Sequence, residues 1–167
     1  MLGRLRAKAG QQGLAIRVVQ ADAASPPAGD FDAVVERHLL WTLPDPAAAL
    51  AAWRQAAPAG RLVVIEGSWG AGAAGAQSLR AQLRQLAERI RPSEPGHHGH
   101  YSQRVEQALP HGRGLTTAQA VALVQASPWG PARLERLRDV EWAVLDGRGV
   151  LDELLGTHPR WAVIAGR

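Results

Sequence analysis

The sequence predicts an α/β domain, with a mostly parallel sheet and an antiparallel pair of strands at its C-terminal edge. The parallel part rests on the short apolar runs Ala33-Val34-Val35 and Leu62-Val63-Val64-Ile65, joined by an Ala-rich helical stretch. A strand–helix–strand order of this kind makes a parallel pair with a crossover. The near-continuous apolar character of both runs fits a sheet covered on its two faces. Two further strand-like segments late in the chain, separated by a short stretch, supply the antiparallel edge. At 167 residues the chain has the size of one domain.

Each element has its own local reason. Met1 to Gly13 reads as a helix, with Leu2, Leu5 and Ala9 on one stripe and Gly10 and Gly13 as stop signals. No capping residue precedes it, and its apolar stripe needs a partner. Leu14 to Ala21 is short, β-branched and bounded by Gly13 and Asp22, which predicts a strand. Ala24 to Asp30 is a Ser/Pro/Gly loop. Phe31 to Arg37 is the next strand. Asp45 stands as N-cap with Pro46 at the first helical position, and the helix over Ala47 to Ala57 is stopped by Pro58 and Gly60. Arg61 to Glu66 is the third strand.

Beyond Gly67 the pattern loosens. Gly70 to Ala76 is low-complexity and reads as a linker, without the Gly-Lys-Ser/Thr ending of a phosphate cradle. Gln77 to Arg91 is an amphipathic helix with Leu79, Leu83, Leu86 and Ile90 on one stripe. Pro92 to Gly114 is loop-rich. Thr116 to Ala126 is a helix capped by Thr116 or Thr117 and stopped before Pro128. Leu134 to Leu145 alternates loosely and predicts a strand, Val150 to Leu155 a helical turn, and Trp161 to Ala165 a last strand.

Composition excludes several functions. With no cysteine there is no disulfide, thiolate metal site or cysteine nucleophile. That fits a cytoplasmic protein. No apolar run approaches the roughly 20 residues of a membrane span, so no membrane partner is expected. The first residues lack the apolar core of a secretory signal. The net charge of +4 comes almost wholly from arginine, beside abundant Ala, Gly and Pro, which is the mark of GC-rich codons. The basic residues are dispersed, and the face of Arg80, Arg84 and Arg91 reads as solvated, so no nucleic-acid partner is expected.

An ordered set of motifs runs through the first part of the chain. Gln20-Ala21-Asp22-Ala23 is followed by Gly29-Asp30-Phe31-Asp32-Ala33-Val34-Val35. Next come Arg37-His38-Leu39-Leu40-Trp41-Thr42-Leu43-Pro44-Asp45-Pro46, then Trp53-Arg54 and Pro58-Ala59-Gly60-Arg61-Leu62-Val63-Val64-Ile65-Glu66-Gly67. Together these resemble class I S-adenosylmethionine-dependent methyltransferases. The likeness is dense over residues 1–67 and looser over 115–167, and it makes 1–167 one methyltransferase domain. It implies a doubly wound, Rossmann-like sheet and a small-molecule methyl acceptor, with residues 68–114 as a variable cover over the acceptor. The family's glycine-rich loop and its ribose-binding acid have no counterpart here. The sequence therefore reads as a partial domain without its front end, with weak cofactor binding and association through unpaired strand edges as the expected consequences. A non-catalytic interaction domain is the alternative; an Arg-rich nucleic-acid module ranks behind it.

The resemblance also assigns roles to residues. Asp22 would accept from the adenine exocyclic amine and the Ala23 amide would donate to a ring nitrogen. The ordinary use of such an Asp is to cap a turn. Arg37, His38 and Leu39 would line the methionine and adenine sides of the cofactor pocket. No catalytic residue is assigned, although the usual titration range of histidine leaves His38 open as a base. Trp41 reads as a packing residue. Glu66 ends its strand at the same edge, either as a contact to an acceptor or cation or as a plain exposed carboxylate. Glu94, His97, His98, His100 and His111 lack helical or other ligand spacing and are read as a lid rather than a metal site.

Overall fold

The computed structural model describes residues 2–66, 107, 109, 111, 114–146 and 160–166. The elements are α1 (Leu2–Gln11), β1 (Ala33–Arg37), a 3₁₀ turn (Leu40–Thr42), α2 (Pro46–Ala56), β2 (Arg61–Glu66), α3 (Thr117–Gln125), β3 (Ala132–Arg136), α4 (Arg138–Leu145) and β4 (Trp161–Gly166). The four strands form one mixed sheet in the order β1-β2-β4-β3. β1 and β2 are parallel, as the strand–helix–strand pattern requires. β4 runs antiparallel to both β2 and β3, so the predicted antiparallel edge is present, with the last strand inserted inside it.

Local chemistry explains the helices that the sequence announced. The Asp45 carboxylate accepts from Ala48 N at 2.9 Å, and Pro46 occupies the first helical position of α2. At α3 the Thr116 hydroxyl accepts from Gln119 N while the Gln119 side chain accepts from Thr116 N, a reciprocal capping box.

Two predicted strands are corrected. Leu14 to Ala21 is not a strand. Leu14, Ile16 and Val19 are exposed, and Ile16 N bonds only to Leu14 O within the segment. Backbone in a strand needs a neighbour to complete its ladder, and β1 pairs on one side only among the described residues. The second correction concerns Leu134 to Leu145, which splits into the end of β3 and all of α4. The last ladder bond runs from Leu137 N to Arg160 O, and Glu141 N then bonds back to Leu137 O, which opens the helix. The Glu141 carboxylate fastens this corner through bonds from the Arg136 guanidinium and from Arg160 N. Gly70 to Ala76, Gln77 to Arg91 and Val150 to Leu155 lie outside the described residues, as does almost all of 92–114.

The core lies on one face of the sheet. Leu62 and Val64 of β2 and Val163 and Ala165 of β4 meet Ala49, Leu50 and Trp53 of α2, Ala120 and Val124 of α3, and Trp129. Both indoles find carbonyl partners, Trp129 Nε1 donating to Leu50 O at 2.8 Å and Trp53 Nε1 to Ala23 O at 2.7 Å. On the other face, Val35 of β1 is 65% exposed. At the amino end of β2, Gly60 is wedged against the residues just before β1, and a Cβ there would lie 2.6 Å from Phe31 O and 2.9 Å from both Asp32 O and Ala57 Cβ. Because the closest obstructing atom is backbone and none is the far end of a flexible side chain, Gly60→Ala is expected to cost about 1–3 kcal/mol in urea denaturation. A change within error would show that this end of the sheet yields easily.

Candidate functional site

The parallel pairing of β1 with β2 puts Arg37 beside Ile65, so the residues that follow each strand share one edge. At this edge β1 leaves the sheet abruptly. His38 N donates to Ile65 O at 3.0 Å, as if the ladder continued. Yet the His38 φ is 56°, in the left-handed region that residues with a Cβ seldom adopt. Two residues later the chain enters the 3₁₀ turn, whose first amides have no partner within the turn.

Two strand carboxylates supply those partners. Glu36 Oε2 accepts from Leu39 N at 2.9 Å and from Leu40 N at 3.3 Å. Glu66 Oε1 accepts from Trp41 N at 3.4 Å. Thr42 closes the turn on the Leu39 carbonyl with both its hydroxyl and its amide. His38 Nδ1 lies 3.7 Å from Glu66 Oε2. Glu36 is 5% exposed, and so is the Glu66 side chain. Trp41 is buried in the core, as its packing role required.

Burial sets the electrostatics. It pushes the Glu36 carboxyl up to about 7, against the opposing pull of the Leu39 and Leu40 amides. It pushes Glu66 up to about 8, with the neighbouring charge of Glu36 acting in the same direction. A small cavity adjoins Glu66, lined by Val64, Leu115, Thr117, Ala120, Trp161 and Val163. Among the described residues no group of three His, Asp or Glu is arranged to hold a metal ion. Glu94, His97, His98 and His100 lie outside the described residues.

The contacts of the expected site residues form two groups. Arg37, His38 and Leu39 gather with Glu66 at the carboxyl edge of β1 and β2. Arg37 is exposed and His38 and Leu39 are half-buried. Ala23 is held against α2, where its carbonyl takes the indole of Trp53. The Asp22 side chain is exposed and accepts from Ala24 N at 2.9 Å, the geometry of a turn cap. Glu66 is not the exposed carboxylate that its strand-end position allowed. Glu36 was missed altogether, although its spacing of two from Val34 places it on the inward face of β1.

An α/β sheet with polar groups collected at the carboxyl ends of parallel strands is the class of structure that binds ligands at that edge. Residues 1–64 match the family model of a methyltransferase domain. This match is consistent with a class I S-adenosylmethionine-dependent methyltransferase. It covers α1, β1, α2 and most of β2, and with them both groups of expected site residues. No curated protein matches the chain. Among the described residues no helix is long and apolar enough to cross a membrane.

Proposed function

We propose that this chain is the methyl-transferring domain of an S-adenosylmethionine-dependent enzyme with a small-molecule acceptor, built on a Rossmann-like sheet. The observation that carries this reading is the methyltransferase-domain match over residues 1–64, which spans Asp22, Ala23, Arg37, His38 and Leu39. The chemistry of these residues suits the cofactor. Asp22 offers an exposed carboxylate, an acceptor matched to an exocyclic amine, while its turn to Ala24 fixes its direction. The Ala23 amide is the donor for an adenine ring nitrogen. Arg37, His38 and Leu39 form the wall at the strand ends, with their backbone fixed by Ile65 and Glu36.

When bound, S-adenosylmethionine supplies an electrophilic methyl group for in-line transfer. What these residues contribute is alignment of the reacting groups and exclusion of water, which alone can lower a barrier by several kcal/mol.

The test is a titration with S-adenosylmethionine followed by the backbone amide resonances. Shifts are expected at Ala23, His38 and Leu39, saturating by about 1 mM ligand. Asp22→Asn keeps an acceptor for Ala24 N but replaces the carboxylate, and is expected to weaken binding by about tenfold or more. An absence of shifts at these amides would overturn the cofactor reading and favour a non-catalytic interaction domain.

A further inference from the structure

The loop that follows β1 is held by an unusual pair of hands. Three consecutive amides, from Leu39, Leu40 and Trp41, are taken by carboxyl groups from two adjacent strands. In each carboxyl the second oxygen, Glu36 Oε1 and Glu66 Oε2, is buried without a hydrogen-bond partner. A charged carboxylate has about four acceptor positions to fill, and leaving them empty in the interior is costly. A protonated carboxyl has a much smaller need. Its carbonyl oxygen accepts the amides, and its hydroxyl sits where the empty oxygens are found. Two such groups side by side also resist being charged together.

We propose that Glu36 and Glu66 form a proton-held latch, fastening the loop Leu39–Trp41 to the sheet while a proton is on the pair and releasing it in mild alkali. Among the described residues the surroundings leave few other ways to neutralise the second charge. The residues around the cavity at Glu66, from β2, β4, α3 and the segment before α3, are all uncharged. Arg136 stands beyond Trp161 in the same cross-strand row and is paired with Glu141. On the loop, His38 is the titratable neighbour, with Nδ1 3.7 Å from Glu66 Oε2. When protonated, its imidazolium would help to hold an ionised Glu66. The two carboxyls therefore titrate as one set, not as separate sites. The proton lost from the set goes to solvent. Release also lets His38 relax from its positive φ, so strain assists the opening.

The latch stands on this geometry alone; its consequence for ligand binding rests on the function proposed above, because Leu39 belongs to both. The experiment is amide hydrogen exchange on the ligand-free chain between pH 6 and pH 9, corrected for the intrinsic rise of exchange with pH. Protection at Leu39, Leu40 and Trp41 is expected to fall by about tenfold or more, beyond any fall at Leu62 and Val64 in β2. Glu66→Gln presents a carbonyl oxygen and a neutral donor at every pH, as the protonated acid does. It is expected to hold protection at the three amides level within about threefold. Glu36→Gln is expected to do the same, and serves if the first variant fails to fold. Level protection in the natural chain, or an equal fall in a folded variant, would overturn the latch. Both outcomes are read without ligand, so a failed cofactor titration leaves this test intact.

Discussion

Replacing Leu50 with Ala is expected to lower stability by about 3–5 kcal/mol, the upper part of the range for buried leucines. Leu50 is 0% exposed in α2 and belongs to the cluster that joins β2, β4, α3 and Trp129. The deleted atoms are surrounded on all sides, so the void has little room to collapse. The Leu50 carbonyl also receives the Trp129 indole, and Arg54 stacks 4.9 Å from that ring, so backbone movement to fill the void would disturb both contacts. Val35→Ala, on the open face of β1, is the matched control, with an expected change within about 0.5 kcal/mol. Urea denaturation of the two variants separates these outcomes. A small effect at Leu50 would mean that the core is not assembled around α2.

Stability is expected to fall as pH rises from about 5 to 9, the reverse of the usual effect of carboxylates. Glu36 and Glu66 have ordinary values near 4.5 when unfolded, and about 7 and 8 in the folded chain. Between those limits the native state binds more protons than the unfolded state, so raising pH favours unfolding. The stability contributed by their protonated forms is complete below about 4.5 and is lost as pH passes through 7 and then 8. Glu141 acts in the opposite sense. Its hydrogen bond from Arg136 lowers its value, so its contribution disappears only as pH falls through the acid range. Glu66→Gln is expected to flatten the alkaline fall and to exceed the natural chain by about 1–3 kcal/mol at pH 9. Denaturation at pH 5, 7 and 9 provides the measurement. A natural chain that gains stability over this span would contradict the buried-acid assignment.

Much of the fold was legible because it is written locally. Asp45-Pro46 and Thr116 with Gln119 specify helix starts through side chains within three residues of the amides they serve. β1, α2 and β2 follow from apolar runs and the stop signals around Pro58 and Gly60. The failures share a different cause, since a strand depends on its neighbours. Leu14 to Ala21 has strand composition but no partner among the described residues. From Asp139 to Trp142 the residues alternate in polarity as a strand would, yet Glu141 draws the chain into a helix by binding Arg136 and Arg160 N. The position of β4 between β2 and β3 is equally invisible, because pairing order is set by contacts far apart in sequence. At the site, the edge holding Arg37, His38 and Leu39 could be read from strand ends. The grip of Glu36 and Glu66 on the next amides could not, because it depends on two strands lying side by side.

The inserted position of β4 also dictates an order of assembly. Among the described residues β3 joins the sheet through β4, which follows it in sequence. As the polypeptide emerges during synthesis, β1, α2 and β2 can join early, since their contacts span few residues. β3 must then wait with its hydrogen-bonding edges unsatisfied until Trp161–Gly166 appears and docks against both sides at once. Completing the sheet is thus a late, all-or-none step that closes a long loop, and a nascent chain arrested before Trp161 would expose both β2 and β3 to wrong partners.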